Sequence, residues 1–248
     1  MIKCEQAEKL YGRTKAQQKK QGKGFQNISL TIPDGQVVGL LGENGAGKST
    51  LLRAMAGITD LTGGKISFDE GPVSAQYENV AYICGEGSYF PAMTPAEYEE
   101  FLVQLLPKFD GNRYRKLLEF FQIDASQIIG KMSTGQRAKL EVAAGMAKRA
   151  KYLLMDEPFL GKDMFTRRDF LKLMAGSLRG EETIVLASHH VQEIVPFIDR
   201  AVILHKGQLA ADAVLDELRA EGGSLVELLQ EATGYDPEKF KNLFSEEF

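Results

Sequence analysis

Cysteine is scarce, with Cys4 and Cys84 the only two in 248 residues. The pair has neither metal-ligand spacing nor the makings of a disulfide framework, which fits a reducing compartment. No window approaches the roughly 18 consecutive apolar residues of a membrane span. The opening "MIKCEQAEKLYGRTK" holds no apolar run of the kind a signal peptide needs. A surplus of basic charge is also missing. Lys and Arg total 30 against 34 Asp and Glu, a formal net charge of −4, which argues against a dedicated nucleic-acid binder. Repeats and low-complexity tracts are absent too. What remains is an ordinary globular composition, 44% hydrophobic and 26% charged, long enough for one large domain or two modest ones. Any action at a membrane would pass through a partner.

The patterning is that of an α/β protein. "IKCEQAEKLYG" and "FQNISLTI" read as strands around the basic stretch "RTKAQQKKQGKG", a solvated hairpin tip or a contact for anionic surfaces. "GQVVGLLG", "GGKISF", "NVAYIC", "KYLLMDE" and "ETIVLAS" are short apolar strands, and "DRAVILHKGQL" is a terminal hairpin. Helices alternate with them: "KSTLLRAMAGI", closed by Gly57, and "MFTRRDFLKLMAGSL". Such alternation predicts a mainly parallel sheet. From Thr94 to Ala125 helices run alone, led by "TPAEYEEFLVQLL" with Thr94 as N-cap, Pro95 at the first position and Glu97 closing a capping box.

Two helix starts carry anion-binding chemistry. The first is "GENGAGKST": Gly42, Glu43, Asn44, Gly45, Ala46, Gly47, Lys48, Ser49 and Thr50. It fits G-x-x-x-x-G-K-[ST] between a strand and a helix, where backbone amides wrap phosphates, Lys48 reaches the β/γ oxygens and Ser49 binds Mg²⁺. The second is "MSTGQ", with Ser133 and Thr134 at the N-cap and Gly135 uncovering the amides. A P-loop also needs an acid at a neighbouring strand end. "KYLLMDEP" supplies Asp156 for the metal and Glu157 to orient or deprotonate water.

In this order, "GENGAGKST", "MSTGQ", "DEP" and "SHH" resemble the nucleotide-binding subunit of ATP-binding cassette (ABC) transporters over nearly the whole chain. The resemblance implies an α/β P-loop NTPase core with a mainly parallel sheet, an N-terminal antiparallel β subdomain and an inserted α-helical subdomain. The β subdomain is expected over 1–35 and 60–80, and the RecA-like core over 36–59 and 150–211. The helical subdomain is expected over 86–149, and a helical tail over 212–248. The resemblance also implies ATP and Mg²⁺ as cofactors, with the L-S-G-G-Q-like signature of one subunit meeting the ATP held on the other's P-loop. That accounts for two phosphate-shaped helix starts in one chain. Ser133 and Gly135 would face a γ-phosphate in trans with Gln136 beside them, and Thr134 replaces a consensus glycine.

By the same resemblance His189, favoured by register over His190, is the switch histidine. Tyr11 takes the place of the adenine-stacking aromatic, against simple strand packing, and Asp163 matches the D-loop aspartate. The family's metal-contacting glutamine is replaced by Gly85 or Glu86, of which Glu86 retains an acceptor for the catalytic and metal-bound water. Tyr98 and Phe101 are expected in the helical core, and Tyr89 and Phe90 at a partner. The implied partners are an integral membrane permease and a second ATP-binding subunit, identical or different, with no nucleic acid. The chain would lie in the cytoplasm on the inner face of the membrane. The form of the helical segment resembles that of ABC-2 type exporter ATPases, implying export. The alternative is a soluble non-transport ABC ATPase of DNA repair or translation.

Overall fold

The computed structural model describes residues 1–12, 23–69, 71–84, 89–158, 174, 181–189 and 191–234. The helix expected over 164–178 (Met174 apart), together with Gly85, Glu86, Asp163, His190 and most of the basic stretch, lies outside them.

Two sheets organise the described residues. The first pairs β1 (Ile2–Leu10) antiparallel with β2 (Lys23–Ile32) on one side and β4 (Gly63–Phe68) on the other, and β5 (Gly71–Pro72) closes its edge. Alternation in β1 turns Ile2 and Cys4 inward and Lys3 and Glu5 outward, as a sheet with one wet face requires.

The second sheet has six strands. They are β3 (Val37–Leu41), β6 (Val80–Cys84), β7 (Tyr152–Asp156), β8 (Thr183–Ser188), β9 (Arg200–His205) and β10 (Gln208–Val214). Their order is β10-β9-β3-β8-β7-β6, parallel except for β10. Every residue of β7 and β8 is buried, which explains their unbroken apolar runs: both faces are covered. β9 turns into β10 through Lys206 and Gly207, both at positive φ (49° and 79°), the requirement of a two-residue hairpin.

The helices spanned by described residues are α1 (Lys48–Met55), α2 (Pro95–Leu105), α3 (Gly111–Phe120), α4 (Thr134–Ala147), α5 (Val191–Ile194), α6 (Leu215–Ala220) and α7 (Leu225–Thr233), and Met174 is helical as well. The Thr94–Glu97 capping box starts α2 with Pro95 in its first turn. α1 packs on one face of the large sheet, in a core that includes Leu40, Leu51, Leu154 and Val185. The opposite face carries α4. There Ile83 fits so closely against Gly145 that a Cβ on the glycine would lie 2.3 Å from its side chain.

The helical segment therefore shares a core with the sheet, since Ala81, Ile83, Tyr98, Tyr114 and Leu140 belong to one cluster. Two expected boundaries move with the topology. Val80 begins a strand of the six-stranded sheet rather than ending the antiparallel part, and Asp212–Val214 complete β10 before the tail helices begin. In parallel register Leu41 lies beside Ser188, Ala187 beside Asp156, and Asp156 beside Cys84. Four strands thus end along one edge, where an open α/β sheet places its ligand crevice.

Candidate functional site

The loop after β3 reverses the chain tightly before α1. Gly42 has φ +146°, and a Cβ there would stand 2.3 Å from the Leu204 carbonyl oxygen. Gly47, the N-cap of α1, sits at φ +102° with a Cβ position 2.2 Å from the Gly24 oxygen. Neither position accepts a side chain, and no side chain caps the helix. Its start is left as backbone amides and the positive end of a dipole.

Lys48 folds back under this loop. Its ammonium donates to the carbonyls of Gly42 (2.7 Å) and Glu43 (3.1 Å). The side chain is buried. Burial lowers its pKa, while the nearby Glu157 and Asp156 carboxylates pull the other way. A cation held beneath a ring of amides is suited to gripping phosphate oxygens.

Residues 44–50 line a cleft of about 300 Å³ with Tyr11, Gly24 and Glu157. Tyr11 stands at its side, 39% exposed, with its hydroxyl 3.4 Å from Thr50 Oγ1 and the Lys9 ammonium 5.7 Å from the ring centre. It does not pack into the strand's core. A flat exposed aromatic beside a phosphate-shaped loop is placed to stack on a base.

Behind the loop, Ser49 Oγ donates to Asp156 Oδ1 at 2.8 Å, and Tyr82 donates to the other carboxylate oxygen at 2.9 Å. Asp156 is buried. A hydroxyl and a carboxylate are hard oxygen donors, and Mg²⁺ takes one or two such groups and completes its shell with phosphate and water. The pair fits that cation. Among the described residues no cluster of three or more His, Cys, Asp or Glu is placed to hold a metal ion.

Glu157 follows directly, at a positive φ of 46°. Its amide donates to the Ala187 carbonyl at 3.0 Å, tying the turn to β8. Its Oε1 lies 2.8 Å from His189 Nδ1, the residue just beyond β8. A carboxylate and an imidazole thus meet on the cleft side of the sheet edge.

The second helix start is elsewhere. Ser133 Oγ accepts from the Gln136 amide at 3.2 Å, and Gln136 Oε1 accepts from the Ser133 amide at 2.9 Å. This reciprocal box opens the 14-residue α4. Ser133 and Thr134 are exposed. A Cβ added at Gly135 would meet only Ser133 Oγ, at 4.0 Å. The surface is open to an incoming group, and Ser133, Gly135 and Gln136 are not among the residues lining the cleft.

A wider depression of about 700 Å³ lies between α2 and α3, but its charges are matched, Arg115 with Glu99 and Arg149 with Asp110. Tyr98 is buried and Phe101 packs against the core. Tyr89 is half-buried on that same core, whereas Phe90 is 48% exposed, its ring edge-on to Phe101 at 5.1 Å. Tyr82 and Arg53 are functional neighbours that sequence reasoning missed. The only signal for Tyr82 was one hydroxyl-bearing side chain within the otherwise apolar "VAYIC".

Comparison with known proteins gives one consistent answer. Residues 25–160 match the family model described as ABC transporter. The chain is 31% identical over 201 residues to the ABC transporter ATP-binding protein YtrB of Bacillus subtilis, covering 79% of this chain and 69% of that one. It is 29% identical to the sulfate/thiosulfate import ATP-binding protein CysA of Yersinia pseudotuberculosis, over 89% of this chain and 62% of that one. It is 27% identical to the lipopolysaccharide export system ATP-binding protein LptB of Escherichia coli, over 78% and 85%. Among solved structures, an ATP binding subunit of an ABC transporter superposes with a TM-score of 0.81, covering 94% of this chain and 99% of that one at 23% identity. That likeness establishes the fold.

Proposed function

The chain belongs to the ABC transporter family, and from that premise we infer that it is the ATP-binding and ATP-hydrolysing subunit of a transporter, closing with a second cassette around MgATP to drive a separate membrane permease. The observation that carries this reading is the split of the phosphate chemistry. A cleft with Lys48 and Glu157 lies on one part of the surface, and an exposed, capped helix start at Ser133 lies apart from it.

In this reading Tyr11 stacks on adenine, the loop from Gly42 to Thr50 holds the phosphates, and Lys48 exchanges its two carbonyl contacts for phosphate oxygens. Ser49 and Asp156 hold Mg²⁺, which supplies charge neutralisation on the phosphates. Glu157 orients and deprotonates the attacking water, and His189, 2.8 Å from it, positions that carboxylate and reaches toward the γ-phosphate. Ser133, Gly135 and Gln136 of the other cassette close the site. Glu86 and Asp163 keep the roles that the family resemblance gives them. With Val80 counted in the six-stranded sheet and Asp212–Val214 in its last strand, the antiparallel part (1–35 and 60–79), the core (36–59, 80–84 and 150–214), the helical part (86–149) and the tail from 215 are proposed as the working divisions of the cassette. Among the described residues no helix is long and apolar enough to cross a membrane, and we place the chain on the cytoplasmic face, held by the permease. We propose export of a drug, peptide or lipid-like substrate, supported by the form of the helical segment; the relatives themselves include subunits of both an import and an export system.

Mixing two inactive proteins tests the trans site. Lys48→Ala removes the phosphate grip, and Ser133→Arg puts bulk where the γ-phosphate must dock. Each alone is expected to lose ATP-driven association and hydrolysis. In a mixed dimer one composite site carries both lesions and the other carries none. Sedimentation in a Glu157→Gln background should then show ATP-dependent heterodimers and few homodimers. Native association and hydrolysis by Ser133→Arg would reduce "MSTGQ" to a capped helix and refute the reading.

A further inference from the structure

Asp156 is held at both carboxylate oxygens, and only one holder belongs to the P-loop. Ser49 donates to Oδ1, while Tyr82, on the edge strand β6, donates to Oδ2. The reach follows from the sheet. Tyr82 lies opposite Leu154 in parallel register, and Asp156 is two residues further along β7 on the same face. Two strand residues span about 6.6 Å, a gap that a phenol bridges with its hydroxyl and a phenylalanine does not. Arg53, in the last turn of α1, donates from Nε to the same hydroxyl at 3.3 Å. An ordinary phenol, with a pKa of about 10, holds its proton at neutral pH and can only donate to a carboxylate.

We infer that Tyr82 is a positioning residue for the metal-binding carboxylate, fixing the plane of Asp156 from the side opposite Ser49, with Arg53 holding the phenol in place. The inference rests on the ATPase reading of the site. With Mg²⁺ bound, the Ser49 hydroxyl would offer its oxygen to the cation and would no longer donate to Asp156. Tyr82 would then be the hydrogen bond left on the carboxylate, holding it through Oδ2 and leaving Oδ1 free to serve the metal. Tyr82 also lines a small cavity of about 140 Å³ with Tyr98 of α2 and Glu141 of α4.

The test uses Mn²⁺ as a paramagnetic probe on the full-length protein loaded with ADP in the absence of divalent metal. Loss of the free-ion EPR signal reports metal uptake, with thermal unfolding of the metal-free protein measured alongside. Tyr82→Phe should leave ADP binding in EDTA unchanged and require roughly tenfold more Mn²⁺ for half-saturation, the scale of one lost hydrogen bond to a charged group. Arg53→Met, which leaves the phenol in place, should shift the titration the same way by less, and serves if the phenylalanine variant folds poorly. Asp156→Asn should bind metal far more weakly than either. If Tyr82→Phe lowers the unfolding temperature but titrates like the wild type while Asp156→Asn does not, Tyr82 is only packing and the inference falls. If Asp156→Asn itself titrates like the wild type, the ATPase reading of the site falls instead.

Discussion

Replacing Glu157 with glutamine removes one charge and one basic site while leaving the shape of the side chain in place. The backbone there has a positive φ of 46°, and glutamine meets the same conformational demand as glutamate. Where His189 Nδ1 carries the proton, the amide oxygen still accepts across the 2.8 Å contact. Loss of a general base costs about 10²- to 10⁴-fold in rate, equivalent to about 2.7–5.5 kcal/mol of barrier. Binding should move the other way. A carboxylate about 5.5 Å from a phosphate, at an effective dielectric of about 40–80, repels it by about 0.8–1.5 kcal/mol. Removing that charge should tighten MgATP roughly three- to twelvefold. Phosphate release under single-turnover conditions gives the rate, and equilibrium titration with a fluorescent ATP analogue gives the affinity. Hydrolysis within twofold of native would show that Glu157 does not act on the water. An affinity ten times weaker would show instead that it holds the nucleotide's ground state.

Two further outcomes test the helical segment. Asp110 caps α3 through the Arg113 amide (2.9 Å) and pairs with Arg149. Asp110→Ala should therefore cost about 2 kcal/mol, seen as a fall of roughly 4–8 °C in Tm, whereas Asp110→Asn keeps the cap and should cost under about 1 kcal/mol. Those hydrogen bonds, that of the Arg113 amide first, hold the Asp110 carboxyl below its usual pKa. The advantage of wild type over the asparagine variant is therefore present above the ordinary carboxylate pKa of about 4 and fades as pH falls below it. Equal losses in the two variants at pH 7 would show that the ion pair, not the cap, carries the stability. Phe90→Ser should reduce co-purification with the membrane partner and leave basal ATPase and Tm nearly unchanged, while Tyr89→Ser should lower Tm because that ring rests on the core. A large drop in Tm for Phe90→Ser would make it a core residue.

The parts of the site that were legible in the sequence are those whose chemistry is local. Gly42 and Gly47 are glycines because the backbone comes within 2.3 Å of where a Cβ would sit. Asp156 and Glu157 end a strand that reads as buried in its own five letters. The caps at Thr94 and Ser133 are likewise set within four residues each. The antiparallel and parallel sheets followed from alternation in one case and unbroken apolar runs in the other. What the sequence hid depends on strand order. β6 adds to β7 from 72 positions away in register, Val80 against Tyr152, and nothing in "VAYIC" announces that its tyrosine will face Asp156. Tyr89 is hard to place from sequence for a related reason. A loop aromatic looks available, but its burial is decided by the helices brought beneath it.

Strand order also explains why so few residues suffice. β3, β8, β7 and β6 are neighbours in a single sheet, and their parallel register aligns Leu41, Ser188, Asp156 and Cys84 within a residue of one another. Each strand contributes residues close to its C-terminal end: the P-loop after β3, Asp156 and Glu157 at β7, His189 after β8, Tyr82 within β6. A parallel sheet spaces such ends about 4.8 Å apart, close enough for a hydroxyl, a carboxylate and an imidazole to meet without long side chains. On the proposed reading, the sheet supplies only one half of the phosphate contacts by this means. Ser133 starts a helix packed on the opposite face from α1, and its exposed cap does not line the chain's own cleft. The proposed second cassette thus follows from where the fold can and cannot bring its own helix starts.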